Sequence, residues 1–432
     1  MEFANCIIYF LLALLIYNKT KVSIASFISS IWAISAVLGL FYKDTELYRG
    51  GLYPITFTPF LYMFICFLIS LLPIIVKSNQ ITSIKLKDYQ WIKPISYIIS
   101  ILSIVPAIEL TSQFFELIVT GQFLLLGENY EDVANGEEEA LINVSSYSRF
   151  IIKILISLKV LIPILFYLYL NKAKYNKKVL IGLFFASIIP ALNSMAMGGK
   201  TELVYFILYF SCLYLIFKKS LKGNTVKSIK KIIRVISISG VILILGLSIG
   251  RYGAGSHNTS NSGPFDFLMQ YSSETMYNFN QNAYHEKKGL DGYITMLPVL
   301  YKLKLTKVKP EDRREYMSER LNCPTHIFYS TFGDLYLDFG FTKTLAILIL
   351  LSFAILAIIK KENYIEDIAL IATYVYILST SLFYFCFKGN WNPIFINIII
   401  YIVAKIFRYI SFKKDYNGRN KNILLMFRDD NK

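Results

Sequence analysis

The chain has 432 residues, of which 55% are hydrophobic and 17% are charged, and its formal net charge is +16. Its apolar residues lie in continuous runs of membrane-spanning length. This pattern excludes a soluble protein of two or three domains and an outer-membrane barrel of alternating strands. Because lipid offers no hydrogen-bond partners, such runs must satisfy their backbone internally. The composition therefore predicts an all-α polytopic integral membrane protein.

The apolar runs predict about eleven transmembrane helices, within a range of about ten to twelve. In chain order, the predicted spans cover residues 4–17, 22–42, 57–76, 94–110, 150–170, 179–197, 203–217, 232–250, 341–359, 368–387 and 393–407. The apolar residues 114–126 follow the fourth span, and they predict a helix that lies in the membrane interface.

The distribution of lysines among the loops indicates the orientation of the chain. Lysine-rich and lysine-poor connections alternate; residues 218–231, for example, hold six lysines, whereas residues 128–139 are acidic. Lysine-rich loops face the cytoplasm. The pattern predicts a multi-pass protein of the bacterial cytoplasmic (inner) membrane, with the N-terminus outside and the C-terminus in the cytoplasm. Topology then explains most of the positive charge, and no nucleic-acid partner is predicted.

A long segment that is not plainly a membrane helix interrupts the series of spans. The predicted organisation is eight spans with short loops in residues 1–250, a large extracytoplasmic loop with interfacial helices in residues 251–340, three further spans in residues 341–407 and a basic cytoplasmic tail in residues 408–432. Long loops of this kind are usually functional. We expect the loop to be the working part of a membrane enzyme.

Arg251 is a candidate catalytic residue at the start of this loop. It follows the eighth span directly and is flanked by Gly250 and Gly253. Glycines let the backbone approach a ligand closely, and a guanidinium matches phosphate with two parallel hydrogen bonds. The alternative interpretation is an interfacial anchor.

Two lysines near predicted spans are candidates for substrate binding. Lys200 follows Gly199 at the predicted outer end of the sixth span, where it would face an anionic lipid-linked substrate. The alternative is a lysine that extends from a helix end toward lipid phosphates. Lys159 lies near the middle of the fifth span, and an ionisable group at that depth predicts a functional site. Its alternative role is a structural ion pair with Glu109 or Glu116.

The second half of the loop holds further cationic candidates. Arg313, Arg314 and Arg320 lie in a helix-compatible stretch and are candidates for binding pyrophosphate or glycan. The alternative is a solvated charged helix in which Tyr316 stacks with Arg320 four residues on. His326 is a candidate base toward a sugar hydroxyl, and its alternative role is a local hydrogen bond.

Two carboxylates and a run of lysines complete the candidates. Asp334 and Asp338 lie four residues apart and therefore on one helical face, as paired carboxylates for glycosyl chemistry would. Helix capping, or pairing with loop arginines, is their alternative role. Lysines alternate with apolar residues in residues 300–310, which suits a strip lying on anionic head groups.

Three stretches resemble motifs of one enzyme family, the Wzy-type oligosaccharide repeat-unit polymerases (O-antigen and capsule polymerases). Residues 197–203 resemble the family's glycine and basic motif, with Lys200 where arginine is usual. Residues 248–251 resemble its arginine at the start of the large loop, and residues 332–340 resemble its segment that re-enters the membrane. The number of spans and the large loop also resemble the family, which implies a GT-C-like fold.

The resemblance implies a glycosyltransferase that needs no metal or cofactor. A glycan linked to undecaprenyl pyrophosphate would be moved onto the terminal sugar of a new lipid-linked repeat unit. Arg251 and His326 would act in catalysis, and the other cations would bind the pyrophosphate and glycan. The implied partners are the lipid-linked oligosaccharide and membrane lipids, with a chain-length regulator and a flippase as candidates.

Two other functions stay open. An O-antigen ligase has a similar architecture but transfers finished glycan to another acceptor. A lipid-linked oligosaccharide flippase or transporter should have more spans, short external loops and charges buried along its helices. The large loop argues against a flippase and Lys159 favours it, while the lack of internal repeats argues against a transporter.

Overall fold

The computed structural model describes residues 1–48, 50–84, 91–120, 144–171, 175–197, 199–253, 264–286, 289–309, 312–324, 329–383 and 393–406. Within these ranges the regular elements are helices, and a single isolated bridge joins Ile84 to Asn363. This confirms the predicted all-α class.

The first half of the chain forms ten helices within the described ranges. They are α1 (Glu2–Thr20), α2 (Ile24–Tyr42), α3 (Phe57–Val76), α4 (Ser78–Ile81), α5 (Ile92–Leu102), α6 (Ile104–Val119), α7 (Ser146–Ser157), α8 (Leu161–Leu170), α9 (Lys177–Ala196) and α10 (Thr201–Phe217). The second half adds α11 (Gly223–Gly253), α12 (Pro264–Gln281), α13 (Leu297–Lys302), α14 (Arg313–Ser318), α15 (Thr331–Ile358), α16 (Ile365–Thr380) and α17 (Pro393–Ile406).

Several of these helices are suited to crossing a bilayer. Among the described residues, seven helices are long and apolar enough, and the bent pair α7 and α8 adds an eighth. The helices α10 and α17 are apolar but shorter. The structure therefore supports a polytopic membrane protein with seven or eight candidate spans, and the count of eleven stays a prediction.

Local chemistry explains the helix ends that the sequence predicts well. The third predicted span coincides with α3. At the start of α2, Ser23 Oγ accepts a hydrogen bond from Ser26 N and Ser26 Oγ accepts one from Ser23 N, which forms a reciprocal cap. Lys77 follows α3, and its Nζ donates to the carbonyl oxygens of Leu356 and Ile359 at 2.6 and 2.7 Å. A cation thus satisfies the last carbonyls of α15.

The fourth and fifth spans differ from their predictions. The predicted interfacial helix of residues 114–126 does not begin at residue 114, because α6 runs through that position to Val119 and buries Phe114 in the packing; residues 121–126 lie outside the described residues. The fifth span is broken into α7 and α8, which are bent by 82°. Pro163 explains the break, because it has no N–H to donate to the carbonyl of residue 159. Lys159 therefore lies between two helices and not within one.

The helix α12 packs inside the bundle, although it belongs to the predicted loop. Ser273 Oγ donates to the Ser35 carbonyl at 2.8 Å, and Tyr277 hydroxyl donates to the Gly39 carbonyl at 2.6 Å. Both acceptors lie on α2. Met276 and Phe279 are also buried. This segment thus forms part of the core.

Gly340 divides α15 into two parts. Its φ of 71° and ψ of −176° belong to a region that only glycine adopts readily. Residues 331–338 before it are all buried, and residues 341–358 after it form the apolar stretch of the predicted ninth span. Thr344 Oγ1 donates to the Leu335 carbonyl at 2.8 Å, across the break. The chain therefore turns sharply where the predicted loop ends.

Candidate functional site

The start of α10 holds a buried cation. Lys200 directly precedes α10 and is 3% exposed, and its Nζ lies 4.4 Å from the centre of the Tyr271 ring on α12. An ammonium over an aromatic face is stabilised most when it is removed from water. Lys200 therefore points into the protein, and the alternative of a lysine extending into surrounding lipid does not apply.

A tight turn between α9 and α10 places Lys200. Gly199 N donates to the Ser194 carbonyl at 2.7 Å. A Cβ built on Gly199 would lie 2.6 Å from Ser194 Oγ and 3.1 Å from the Ser194 carbonyl oxygen, so a larger residue would crowd this turn. The glycine next to the lysine thus permits the tight turn that directly precedes Lys200.

An ion pair lies in the first turn of the same helix. Lys159 Nζ is 2.6 Å from Glu202 Oε1, and the Lys159 and Glu202 side chains are 6% and 20% exposed. The N-terminus of α10 also favours the negative charge of Glu202. The sequence suggested Glu109 or Glu116 as a structural partner of Lys159. The structure pairs Lys159 with Glu202. Glu109 instead accepts hydrogen bonds from the backbone and hydroxyl of Ser145.

A small cavity of about 20 Å³, room for about one water molecule, adjoins this ion pair. Besides the ion pair, its lining is largely aromatic and comprises Pro163, Ser187, Pro190, Ala191, Tyr205, Phe206, Tyr209 and Tyr376. The Tyr376 hydroxyl is buried and finds no hydrogen-bond partner among the residues that the structure describes. Buried hydroxyls are usually paired with protein or water. The cavity thus combines two charges with a hydroxyl suited to a polar guest.

The backbone of Arg251 belongs to the last turn of α11. Gly240 of α11 packs on α10, since a Cβ there would lie 2.4 Å from Ile207 Cδ1. Helices joined by so short a connection as residues 218–222 are normally antiparallel. Because the two helices run antiparallel, Arg251 and Lys200 lie on the same side of the contact between Gly240 and Ile207. The Arg251 backbone is about 16 Å from Gly240 along the axis of α11, and Lys200 is about 10 Å from Ile207 along the axis of α10. The Arg251 side chain lies outside the described residues.

The carboxylate of Asp338 anchors a loop. Asp338 is fully buried; its Oδ1 accepts from Ile294 N at 2.8 Å, and its Oδ2 accepts from Thr295 N and Oγ1 at 2.7 and 2.6 Å. Asp291 N also donates to the Asp338 carbonyl at 2.8 Å. These bonds give Asp338 a positioning role. Asp334, one turn earlier, is also fully buried.

Arg320 belongs to a second group of side chains. Arg320 Cζ lies 4.2 Å from the centre of the Tyr316 ring, and Tyr316 in turn stacks on Tyr293 with ring centres 4.7 Å apart. The predicted stacking of Tyr316 with Arg320 is confirmed. Arg313 and Arg314 begin α14, but their side chains, like the whole of His326, lie outside the described residues.

Of the residues predicted from the sequence, the side chains of Lys159 and Lys200 both lie at the start of α10, where Lys159 pairs with Glu202 and Lys200 faces Tyr271. Arg320 and Asp338 belong instead to the group formed by α14, the end of the buried part of α15 and the loop of residues 289–296. Sequence reasoning missed Glu202, Tyr271 and Tyr376. The carboxylate of Glu202 in the first turn of an apolar span was a usable signal, whereas the two tyrosines resemble many others in the chain.

Comparison with family models, with curated proteins and with solved structures found no match to this chain.

Proposed function

We propose that the protein polymerises lipid-pyrophosphate-linked oligosaccharide repeat units into a surface polysaccharide, O-antigen or capsule, at the outer face of the bacterial cytoplasmic membrane. The observation that carries the proposal is the buried Lys200, which lies over Tyr271 at the start of the helix whose first turn holds Glu202. An isoprenoid pyrophosphate needs a cation next to apolar helices. Lys200 offers that cation.

The reaction moves a glycan from one carrier lipid to another sugar. The bond between the anomeric carbon of the glycan and its pyrophosphate oxygen breaks, and a new bond forms to a hydroxyl oxygen of the terminal sugar on the acceptor. The acceptor proton passes to a base, and the lipid pyrophosphate leaves with the bonding electrons. Negative charge therefore develops on the leaving group.

Each candidate residue has a role in this reaction. Lys200 and Arg251 stabilise the charge that develops on the pyrophosphate, and Lys159 holds Glu202 beside the cavity. Glu202 and His326 are the candidate proton acceptors. The loop arginines, including Arg320, bind the glycan at a distance from the leaving group.

The proposal includes the finer architecture expected from the resemblance. In this proposal the protein has eleven spans, a GT-C-like fold, an external N-terminus and a cytoplasmic tail. The substrate is an undecaprenyl-pyrophosphate-linked oligosaccharide, and the membrane supplies the surrounding lipids. A chain-length regulator and a flippase are the proposed protein partners.

A lipid-linked oligosaccharide flippase is the second candidate function. The buried Lys159–Glu202 pair favours it, because a charged pair that lines a cavity between apolar helices is typical of a transport path. The polymerase is preferred because a flippase should have short external loops, whereas residues 282–330, between α12 and α15, make a long stretch of sequence rich in charge.

Deleting the gene in its native host and separating the surface glycan on a gel tests the proposal. We expect loss of the ladder, with a single repeat unit still attached to its acceptor. Wild-type protein and the matched control Lys178→Ala, an exposed lysine at the start of α9, should restore the ladder. Lys200→Ala and Arg251→Ala should not.

The other outcomes separate the alternatives. Full-length glycan stranded on carrier lipid would indicate a ligase. Repeat units that accumulate on the cytoplasmic face would indicate a flippase. An unchanged surface glycan would contradict the polymerase, the ligase and the flippase alike.

A further inference from the structure

Residues 301–309 form an exposed cationic surface, which we call the lysine strip. Its four lysines, at positions 302, 304, 307 and 309, are all exposed. Two leucines lie between them, and Leu303 and Leu305 are 64% and 68% exposed. The strip contains no acidic residue. Exposed leucines and lysines thus share one short segment.

The leucines are held outward by folded backbone. Leu303 N donates to the Val299 carbonyl and Leu305 N donates to the Leu300 carbonyl, both at 2.9 Å. Lys304 between them has a φ of 58°, which turns the chain. At the base of the strip, Leu297 is fully buried in the start of α13. The exposure of the two leucines is therefore a feature of the fold.

The strip lies close to the level at which the chain enters the apolar part of α15. Ile294 N and Thr295 N both donate to Asp338, two residues before the Gly340 break. On the far side of the break, Lys343 Nζ lies 3.6 Å from Asp291 Oδ1. The strip follows this anchored loop after the single short helix α13, which is about 9 Å long. The anchored loop therefore fixes the strip near the end of a candidate membrane span.

Charge and apolarity together indicate what covers this surface. The ion pairs found among the described residues do not include any lysine of the strip. Leucine side chains favour the acyl region of a bilayer, and lysines at its surface favour anionic phosphates. A segment that alternates the two beside a span fits the boundary between head groups and acyl chains.

We propose that the lysine strip docks on the anionic head groups of the bilayer that surrounds α15, with Leu303 and Leu305 inserted among the acyl chains. This docking sets the height of the loop that Asp338 anchors and holds α14 and Arg320 near the membrane surface. The proposal depends on the membrane location of the chain and not on its glycan chemistry.

A fluorescent probe on the strip tests the proposal. The full chain with Leu305→Cys is labelled with the environment-sensitive dye NBD and reconstituted into phosphatidylcholine vesicles with or without phosphatidylglycerol. We expect a blue shift of the emission, and quenching by spin-labelled acyl chains, only in the vesicles that contain phosphatidylglycerol. Changing all four strip lysines to glutamine should abolish both effects, and high salt should reduce them.

Matched positions serve as controls. NBD at Ser318→Cys, an exposed position of α14, should keep a water-like emission in both vesicles. NBD at Leu350→Cys, which is 69% exposed within α15, should be quenched by lipid in both. Unsubstituted protein measures labelling of the native cysteines. Equal thermal unfolding of the four-lysine variant and its parent shows that the fold is intact.

Three results would overturn the proposal. A water-like emission at position 305 in both vesicles would mean that the strip does not reach the bilayer. A blue shift that is equal in both vesicles and survives the lysine changes would mean apolar insertion without head-group recognition. A response only after a lipid-pyrophosphate-linked oligosaccharide is added would make the strip a substrate surface.

Discussion

Lys159 Nζ lies 2.6 Å from Glu202 Oε1, and this contact joins the break in the fifth predicted span to the first turn of α10. Both side chains are largely removed from solvent, so each charge depends on the other for compensation. The pair therefore fixes the geometry of the site while lining its cavity.

Removing one partner of this pair should destabilise the protein strongly. Glu202→Leu leaves the Lys159 ammonium buried without its carboxylate, and we expect a loss of about 3–5 kcal/mol in the free energy of unfolding. The double variant Lys159→Met/Glu202→Leu should recover most of that loss. Denaturant unfolding in detergent measures both. Lys43→Ala breaks the exposed Lys43–Glu2 pair and should cost less than about 1 kcal/mol. Equal losses in the single and double variants would contradict a compensated buried pair.

Gly340→Ala should destabilise the break in α15. No atom outside the neighbouring residues lies within 4 Å of a Cβ built there, so the effect comes from the backbone, whose φ is +71°. We expect a loss of about 1–3 kcal/mol. Gly246→Ala is the matched control, because that Cβ also meets open space but the residue lies within α11. The control should be neutral or stabilising by up to about 1 kcal/mol. Similar thermal shifts for the two variants would argue against strain at Gly340.

Asp338→Ala should release the loop of residues 289–296 and leave α3 unaffected. The substitution removes three hydrogen bonds to a carboxylate, each worth about 1.5–3 kcal/mol. Hydrogen exchange followed by mass spectrometry should show faster exchange in residues 289–309. Thr295→Val removes only the hydroxyl bond and should produce a smaller change in the same peptide. Unchanged exchange in this loop would show that Asp338 does not anchor it.

Cys323 should alkylate slowly in the folded protein. Burial raises the pKa of its thiol to about 11 from the usual 9.0. At pH 8 the reactive thiolate is then about a hundredfold scarcer than in an ordinary thiol. The rate should rise about tenfold per pH unit up to pH 11, as peptide mass spectrometry after maleimide treatment can show. By the same shift, Cys323 favours the folded state below pH 9, and this contribution is lost as the pH rises toward 11. A rate that levels off near pH 9 would contradict the raised pKa.

The aromatic ring of Tyr271 should stabilise the Lys200 ammonium. Tyr271→Leu removes the aromatic face, and cation–π contacts of this kind are worth about 0.5–2 kcal/mol. We expect Tyr271→Leu to reduce polysaccharide synthesis in the complemented deletion strain by up to about tenfold. Tyr271→Phe retains the face and should stay closer to wild type. Equal losses in both variants would assign the effect to the hydroxyl and not to the ring.

The sequence predicted the helical class and most helix positions because apolar length is a local property. Two single residues, Gly340 and Pro163, also indicate where helices break. Gly340 marked the end of the loop, and Pro163 marked the break in the fifth span, although the break was not predicted. A run of hydrophobic residues hides such a break because hydropathy does not record the missing N–H of proline.

The site was less predictable because its contacts join distant parts of the chain. Lys200 was recognised as a cation near a span end, but its contact with Tyr271 depends on α12 packing inside the bundle. The polar residues of α12 favoured a loop, but the buried hydroxyls of Ser273 and Tyr277 donate hydrogen bonds to carbonyls of α2. The sequence predicts Asp338 as a carboxylate four residues from Asp334. Its bonds to Ile294 and Thr295 could not be predicted, because nothing in those two residues indicates a carboxylate partner.

The most direct test of the proposed function is the reaction of the purified full chain with its lipid-linked repeat unit in vesicles. We predict carrier-linked products that grow by one repeat unit at a time, with one lipid pyrophosphate released for each unit added, and loss of both with Lys200→Ala but not with Lys178→Ala. Mass spectrometry of the products measures both quantities. Repeat units that stay unextended with folded wild-type protein, or that cross the bilayer without elongation, would contradict the proposed polymerase.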